Sequence, residues 1–185
     1  MLKRFLIIAA LFLATFAFAA QAQLKPGSFG IGANFGGSNP YAMVHYALSD
    51  NMELGAGLGL SSVSYDYESD DEPDSESTLH FVAIGKYFLD RGRDVSPYIG
   101  ASLNYSSYPG EEREYYENYS KSSFGLGAFF GGEVFLAKQF AVYAQIGLGY
   151  SMYNVSYETQ SGDDHTNSRT TISLDGSSIG AVFFF

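Results

Sequence analysis

The chain has 185 residues, a formal net charge of −10 and no cysteine. The missing cysteine excludes a disulfide-stapled domain and a cysteine-ligated metal site. The acidic balance argues against a nucleic-acid partner, since phosphate contacts need lysine and arginine. The hydrophobic content of 46% is too high for a disordered chain. We expect one folded domain that has no metal, no cofactor and no nucleic-acid partner.

Residues 1–22 have the composition of a secretory signal peptide. Two basic residues precede an apolar run from Leu6 to Ala20, and a small-x-small triplet ends at Ala22. A membrane anchor is the alternative, but the run is short for a span of about 20 residues. We therefore expect a leader at 1–22 that is cleaved and one domain at 23–185. The later sequence has no long unbroken apolar run, which excludes a helical membrane protein.

Eight segments of the remaining chain alternate with a period of two. In segment 140–157, even positions carry the apolar residues Val142, Ala144, Ile146 and Leu148. Successive side chains of a strand point to opposite faces, so each segment has an apolar face and a small or polar face. The predicted strands are 28–36, 40–49, 52–66, 78–89, 96–108, 122–136, 140–157 and 170–185.

Two of these strands change phase along their length. The third does so near Ser61 and the eighth near Gly176, and a β-bulge at each point would shift the phase in this way. In the fourth strand either Phe81 or Val82 faces outward. The pattern favours Phe81, because Lys86 then faces inward toward the few inward acids.

The connections differ in length between the two ends of the predicted sheet. They are short at 37–39, 49–51, 90–95 and 137–139, and long and polar at 67–77, 109–121 and 158–169. Up-and-down transmembrane barrels have short turns at one end and longer loops at the other. The polar face also carries far less charge than a water-facing surface would. The sequence predicts an all-β, eight-stranded antiparallel transmembrane barrel, with a soluble β-sandwich or a lipocalin-like binder as the alternative.

The last residues resemble the C-terminal signal of bacterial outer-membrane β-barrels. Its polar, glycine and two aromatic positions are matched by Ser178, Gly180, Phe183 and Phe185. The whole mature chain resembles the small eight-stranded barrels of the outer membrane protein A-like, porin-family type. This resemblance implies the outer membrane of a Gram-negative bacterium, its lipids as surroundings and the barrel-assembly machinery as a partner. We expect no peptidoglycan-binding domain after the barrel, although outer membrane protein A has one.

Few charged residues lie within the predicted strands. We predict that a polar network in the lumen is formed by Glu53, Lys86, Glu133, His45 and His80. Side chains largely fill an eight-stranded barrel, and buried charges need partners. Internal pairing is therefore the simpler interpretation of this network, and a narrow, gated ion path is the alternative.

The long connections carry the remaining candidate residues. The first is acidic, and its weak candidates for a divalent cation are Asp70, Asp71, Glu72 and Asp74. The EF-hand order is absent, so a solvated, self-repelling loop is the simpler interpretation. Tyrosines in the second connection can anchor a partner if they are exposed at the loop tip, or they lie on the barrel rim at the level of the lipid headgroups. An extracellular ligand or surface partner would therefore bind through 67–77, 109–121 and 158–169.

The predicted function is a structural and surface-interaction role in the outer membrane. The alternative is a narrow conduit or a carrier of small hydrophobic ligands. A remote alternative is lipid A modification, since barrel deacylases use His, Ser and an acid, and His165, Ser168 and Asp163 or Asp164 supply these types. Their spacing does not match that family's motif, and nucleophilic catalysis needs a held hydrogen-bond chain. We expect that the protein is not an enzyme.

Overall fold

The structure described here is a computed structural model of the chain. It describes residues 25–36, 40–64, 75–91, 94–108, 116–159, 164–174 and 177–185. The predicted leader, residues 1–22, lies outside these ranges. Within them, no helix is long and apolar enough to cross a membrane.

In the described residues, nine strand segments form one antiparallel sheet that closes on itself. They are β1 (Phe29–Gly36), β2 (Tyr41–Ala47), β3 (Met52–Ser64), β4 (Ser75–Phe88), β5 (Ser96–Tyr108), β6 (Tyr116–Phe135), β7 (Phe140–Thr159), β8 (Asp164–Ser173) and β9 (Ser178–Phe184). β8 and β9 are two parts of one barrel strand, since both pair with β7. β1 pairs with β2 on one side and with β9 on the other, which closes the barrel. The predicted eight-stranded antiparallel barrel is confirmed.

Several strands are longer than the sequence predicted. β4 begins at Ser75, β6 at Tyr116 and β8 at Asp164, while β7 continues to Thr159. Parts of the stretches predicted to be long loops are therefore strand. The backbone hydrogen-bond ladder continues beyond the apolar part of the wall, where both faces are polar and alternation is no longer visible in the sequence.

The pairing of β3 contradicts the bulge predicted near Ser61, whereas the eighth strand is interrupted where an irregularity was predicted. β3 pairs with β4 without interruption from Met52 to Ser64, so the bulge predicted near Ser61 is wrong. The Ser61 hydroxyl instead turns inward and lies 3.0 Å from Nε2 of His80. The eighth strand is interrupted between β8 and β9, at the predicted irregularity. Phe81 is 43% exposed on the outer face, as the pattern favoured.

The outer surface of the barrel is apolar around its middle. Large apolar side chains stay exposed there, among them Ile31 at 60%, Leu58 at 54% and Phe130 at 55%. We call the barrel end with the short turns the turn end and the opposite end the loop end. Exposed aromatic residues flank the apolar belt at both ends: Phe29 and Tyr87 near the turn end, and Tyr105 and Tyr150 toward the loop end. A transmembrane barrel has this outward apolar band with aromatic girdles, whereas a soluble barrel or sandwich hides its apolar face.

The core lies inside the barrel, in an aromatic layer toward the turn end. The layer consists of Met43, Ile84, Phe88, Tyr98, Phe129 and Tyr143. Inward glycines make room for its rings. Tyr98 lies across from Gly131, and Tyr143 across from Gly180, at positions where a Cβ atom would overlap the ring. The glycine-rich inner face therefore produces a filled lumen here.

Candidate functional site

Four of the predicted lumen residues meet in one ion cluster: His45, Glu53, Lys86 and Glu133. The Lys86 Nζ atom lies 2.9 Å from Oε1 of Glu53 and 2.9 Å from Oε2 of Glu133. His45 Nδ1 lies 2.9 Å from the same Glu53 oxygen, and all four side chains are buried. Inward positions on β2, β3, β4 and β6 bring them together, because each faces the lumen near the turn end. A lysine between two carboxylates is the pairing that buried charges require.

The aromatic layer and one turn residue enclose the ion cluster. Lys86 Nζ lies 4.0 Å from the centre of the Tyr143 ring and 5.1 Å from that of Tyr98, which adds cation–π attraction. Arg91, in the turn between β4 and β5, stacks its guanidinium 3.8 Å over the Phe88 ring. One of its nitrogens lies 3.8 Å from Oε2 of Glu53. The cluster is thus covered from the turn end by a second cation.

Burial lowers the pKa of Arg91, and the nearby carboxylates, Glu53 foremost, oppose this shift. An arginine remains charged under such conditions. Within the part of the chain that the structure describes, four buried groups of the cluster region keep polar atoms without a hydrogen-bond partner. They are Nε2 of His45, Oε2 of Glu53, Oε1 of Glu133 and the guanidinium nitrogens of Arg91. These atoms could therefore form additional hydrogen bonds without breaking those already present in the cluster.

His80 was predicted to join the network, but it lies in a different part of the lumen. Its Nε2 atom is 3.0 Å from the Ser61 hydroxyl, and its Nδ1 atom is 2.8 Å from the Ser106 hydroxyl. It sits on β4 six residues from Lys86, a separation of about 20 Å along a strand. His80 therefore belongs to the loop-end half of the barrel.

That half contains the lumen cavity, with a volume of about 280 Å³. Its floor is formed by Met43, Ile84 and Phe129 of the aromatic layer. Its walls carry hydroxyl, amide and imidazole groups from several strands, including Asn34, His80, Ser102, Asn104, Ser106 and Ser178. The lumen thus has a polar upper cavity and a filled lower part.

The residues of the predicted assembly signal lie in and just after β9. Gly180 receives the Tyr143 ring, and Ser178 accepts a hydrogen bond from Asn34 Nδ2 at 3.2 Å. Phe183 and Phe185 project outward, and their ring centres are 5.4 Å apart. The Phe185 amide donates to the carbonyl of Phe29 at 2.8 Å. The four residues therefore lie where the last strand closes against the first.

The other candidates do not form a site in the described residues. Asp70, Asp71, Glu72 and Asp74 lie outside the described ranges, and no group of metal-ligating side chains occurs within those ranges. His165 and Ser168 both lie on β8, three positions apart, so they face opposite sides of the strand. His165 stacks on Tyr157, and Ser168 donates to Asn154 at 2.7 Å. These two residues cannot form a Ser–His hydrogen bond.

Sequence reasoning missed three residues around the cluster. Tyr98 and Tyr143 lie on the inner face, which is rich in glycine and serine, and each is paired with a glycine of the neighbouring strand. A large ring opposite a glycine is a sequence signal that could have predicted their place beside the cluster. Arg91 gave no such signal, because its turn has the composition of a solvent-exposed connection.

The closed eight-stranded barrel, the apolar belt on its outer surface and the polar groups of its lumen define the class of protein. The chain is a β-barrel of the outer-membrane type, which belongs in the outer membrane of Gram-negative bacteria. No known protein family and no curated protein matches its sequence.

Three solved structures superpose on the chain. The outer membrane protein OprG from Pseudomonas aeruginosa superposes with a TM-score of 0.54 at 14% identity, covering 89% of this chain and 98% of that chain. The N-terminal β-barrel domain of Pseudomonas aeruginosa OprF gives 0.48 at 16%, covering 88% and 100%. A major outer membrane protein from Thermus thermophilus gives 0.49 at 16%, covering 85% and 98%. At such identities the likeness to OprG shows a shared fold alone.

Proposed function

We propose that this outer-membrane barrel has a structural and surface-interaction role and is not an enzyme. The observation that carries the proposal is the filled lower lumen. Lys86 and the two glutamates are fully buried, and the aromatic layer packs around them. A lumen filled by paired charges and close-packed rings gives no continuous path for a solute. Outer-membrane lipids and the barrel-assembly machinery are the partners of such a protein.

The long strands support the surface part of this proposal. β6 and β7 each have 20 residues, about 68 Å of extended chain. A membrane strand needs only about 9 to 11 residues, so this hairpin reaches well beyond the bilayer. Its outer face becomes polar there, where Ser156 and Thr166 share a hydrogen bond. The outer ends of β6 and β7 therefore lie away from the lipid, where a surface partner can reach them.

Two experiments test the proposal. The purified protein, inserted in a planar lipid bilayer, should show no discrete conductance steps. Cells that express the full chain should attach to a polylysine-coated surface more strongly than cells in which residues 67–74 and 109–115 are replaced by Gly–Ser linkers of equal length. Regular conductance steps, together with unchanged attachment of the linker variant, would refute the structural and surface role.

A narrow conduit is the second candidate, and one observation favours it. Glu53 and Glu133 each keep a buried oxygen without a hydrogen-bond partner in the described residues. These oxygens offer Lys86 and Arg91 other pairing arrangements, and a rearranged cluster could admit water. If so, removing the Lys86 charge should change bilayer conductance, whereas the same change at exposed Lys138 should not.

A further inference from the structure

The lumen cavity is lined by neutral polar groups. Among the described residues that line it there is no Asp, Glu, Lys or Arg, although the chain has 20 acidic and 10 basic residues. The fully buried charges of the described lumen, Glu53, Lys86 and Glu133, lie in the ion cluster, on the far side of the floor formed by Met43, Ile84 and Phe129. The floor separates the cavity from this cluster, and Lys121 lies toward the loop end, two positions beyond the lining residue Ser123 on the inward face of β6.

Hydrogen bonds hold several of its polar groups in place. His80 is fixed between the hydroxyls of Ser61 and Ser106, at 3.0 and 2.8 Å. The Asn34 amide nitrogen donates to Tyr143 Oη and to Ser178 Oγ, both at 3.2 Å. These bonds use both of that nitrogen's donors and leave its carbonyl oxygen as an acceptor. The walls therefore present donors and acceptors in fixed positions.

The chemistry of the lining selects a class of ligand. An ion would lose its hydration in the cavity and find no opposite charge. An apolar molecule would leave hydroxyl and amide groups of the wall without hydrogen-bond partners, which disfavours its binding. A neutral molecule with many hydroxyl groups satisfies the walls, and the apolar face of its ring can rest on the floor.

We propose that the lumen cavity is a binding site for a small, uncharged, polyhydroxylated solute. Its volume of about 280 Å³ lies just below the usual range for ligand pockets, about 300–1,000 Å³, which limits the ligand to one sugar-sized ring. The site goes beyond the surface role proposed above, and it needs no path through the lower lumen.

Methionine methyl groups provide a direct probe of this site. Met43 lies at the cavity floor, whereas Met52 and Met152 lie on outward positions of the wall. The protein, labelled with ¹³C at its methionine methyl groups, is placed in phospholipid nanodiscs free of sugar-headed detergent and titrated with glucose. We expect the Met43 resonance to shift and saturate while those of Met52 and Met152 stay fixed. Gluconate, the charged analogue, should give no saturable shift.

A matched pair of variants locates the binding. Asn104→Leu removes an amide from the cavity wall, and Asn154→Leu makes the same change on the outer face of β7. The first should weaken glucose binding about tenfold or more and the second should leave it unchanged, with both variants checked for folding by their mobility in unboiled SDS gels. The proposal is overturned if Met43 responds to none of glucose, glycerol and myo-inositol, if gluconate shifts it equally, or if both variants bind glucose alike.

Discussion

At the scale of single residues, Lys86 neutralises the two carboxylates that are buried in the lower lumen. It is the cation within hydrogen-bond distance of both Glu53 and Glu133. Lys86→Met keeps the length of the side chain but leaves two carboxylates buried without it. We expect a loss of about 3–5 kcal/mol in the free energy of unfolding, measured by urea titration in lipid vesicles.

Two further variants control this prediction. Lys138→Met removes an exposed charge at the turn end and should change stability by less than about 0.5 kcal/mol. The triple variant with Glu53→Gln, Lys86→Met and Glu133→Gln removes the buried carboxylates together with Lys86 and should recover part of the loss, because Arg91 then lies near the cluster without Glu53. An unchanged urea midpoint for Lys86→Met alone would show that the cluster does not stabilise the barrel.

Glycine at the lumen wall makes a second prediction at this scale. A Cβ atom on Gly131 would lie 2.5 Å from Tyr98 Oη and 2.6 Å from the carbonyl oxygen of Ala144. Gly131→Ala should therefore cost about 1–3 kcal/mol, as overpacking does. Gly85 is the control, because a Cβ there meets nothing closer than Leu54 at 3.8 Å. If the two alanine variants unfold at the same urea concentration, Tyr98 can move away from Gly131 freely.

The cluster residues show what the sequence could predict and what it could not. Glu53, Lys86 and Glu133 stand on inward positions of strands whose other charges are few, so their convergence followed from alternation. His80 shares the inward face of Lys86, but strand geometry separates the two by about 20 Å. Arg91 could not be found, because the position of a turn side chain depends on how the turn folds back under the barrel.

At the scale of elements, the sequence located strands well where they cross the apolar belt. β5 runs from Ser96 to Tyr108 as predicted, because alternation there separates lipid from lumen. The ends of β6, β7 and β8 were missed, since a strand above the bilayer has water on its outer face and needs no apolar residues. The bulge expected in β3 was wrong. The small polar residues at Ser61 and its neighbours interrupt the apolar pattern of the sequence, but the side chains of the strand keep alternating between the two faces.

The last strand carries a prediction about assembly. Deleting Phe185 removes the terminal aromatic of the predicted signal and one hydrogen bond to β1. We expect slower assembly, with accumulation in the periplasm that is measured by cell fractionation. Phe130→Ala removes an equally outward aromatic from the middle of the belt and should still reach the outer membrane. Normal outer-membrane levels of the deletion variant, with normal refolding in vitro, would remove the case for an assembly signal at Phe185.

At the scale of the whole molecule, the apolar belt predicts where charge is tolerated. Leu103 faces outward near the middle of β5. Leu103→Arg should destabilise the barrel in a bilayer by about 2–4 kcal/mol, whereas Ser156→Arg, above the belt, should cost at most about 1 kcal/mol. Urea unfolding in vesicles measures both. Equal small losses would mean that Leu103 does not face lipid and that the outer face is covered by something else.

The strands also differ in length around the barrel. β2 has 7 residues, about 24 Å of chain and less along the bilayer normal because the strands tilt, whereas β6 and β7 have 20 residues each. The wall that the described strands present to lipid is therefore lowest beside β1 and β2, while the outer ends of β6 and β7 lie above the apolar belt. Where the apolar height of a wall is less than the thickness of the bilayer, acyl chains shorten or tilt to match it, at a cost of fractions of a kcal/mol per Å. We therefore expect the bilayer to thin on the side of β1 and β2, which would give each molecule a preferred direction within the plane of the membrane.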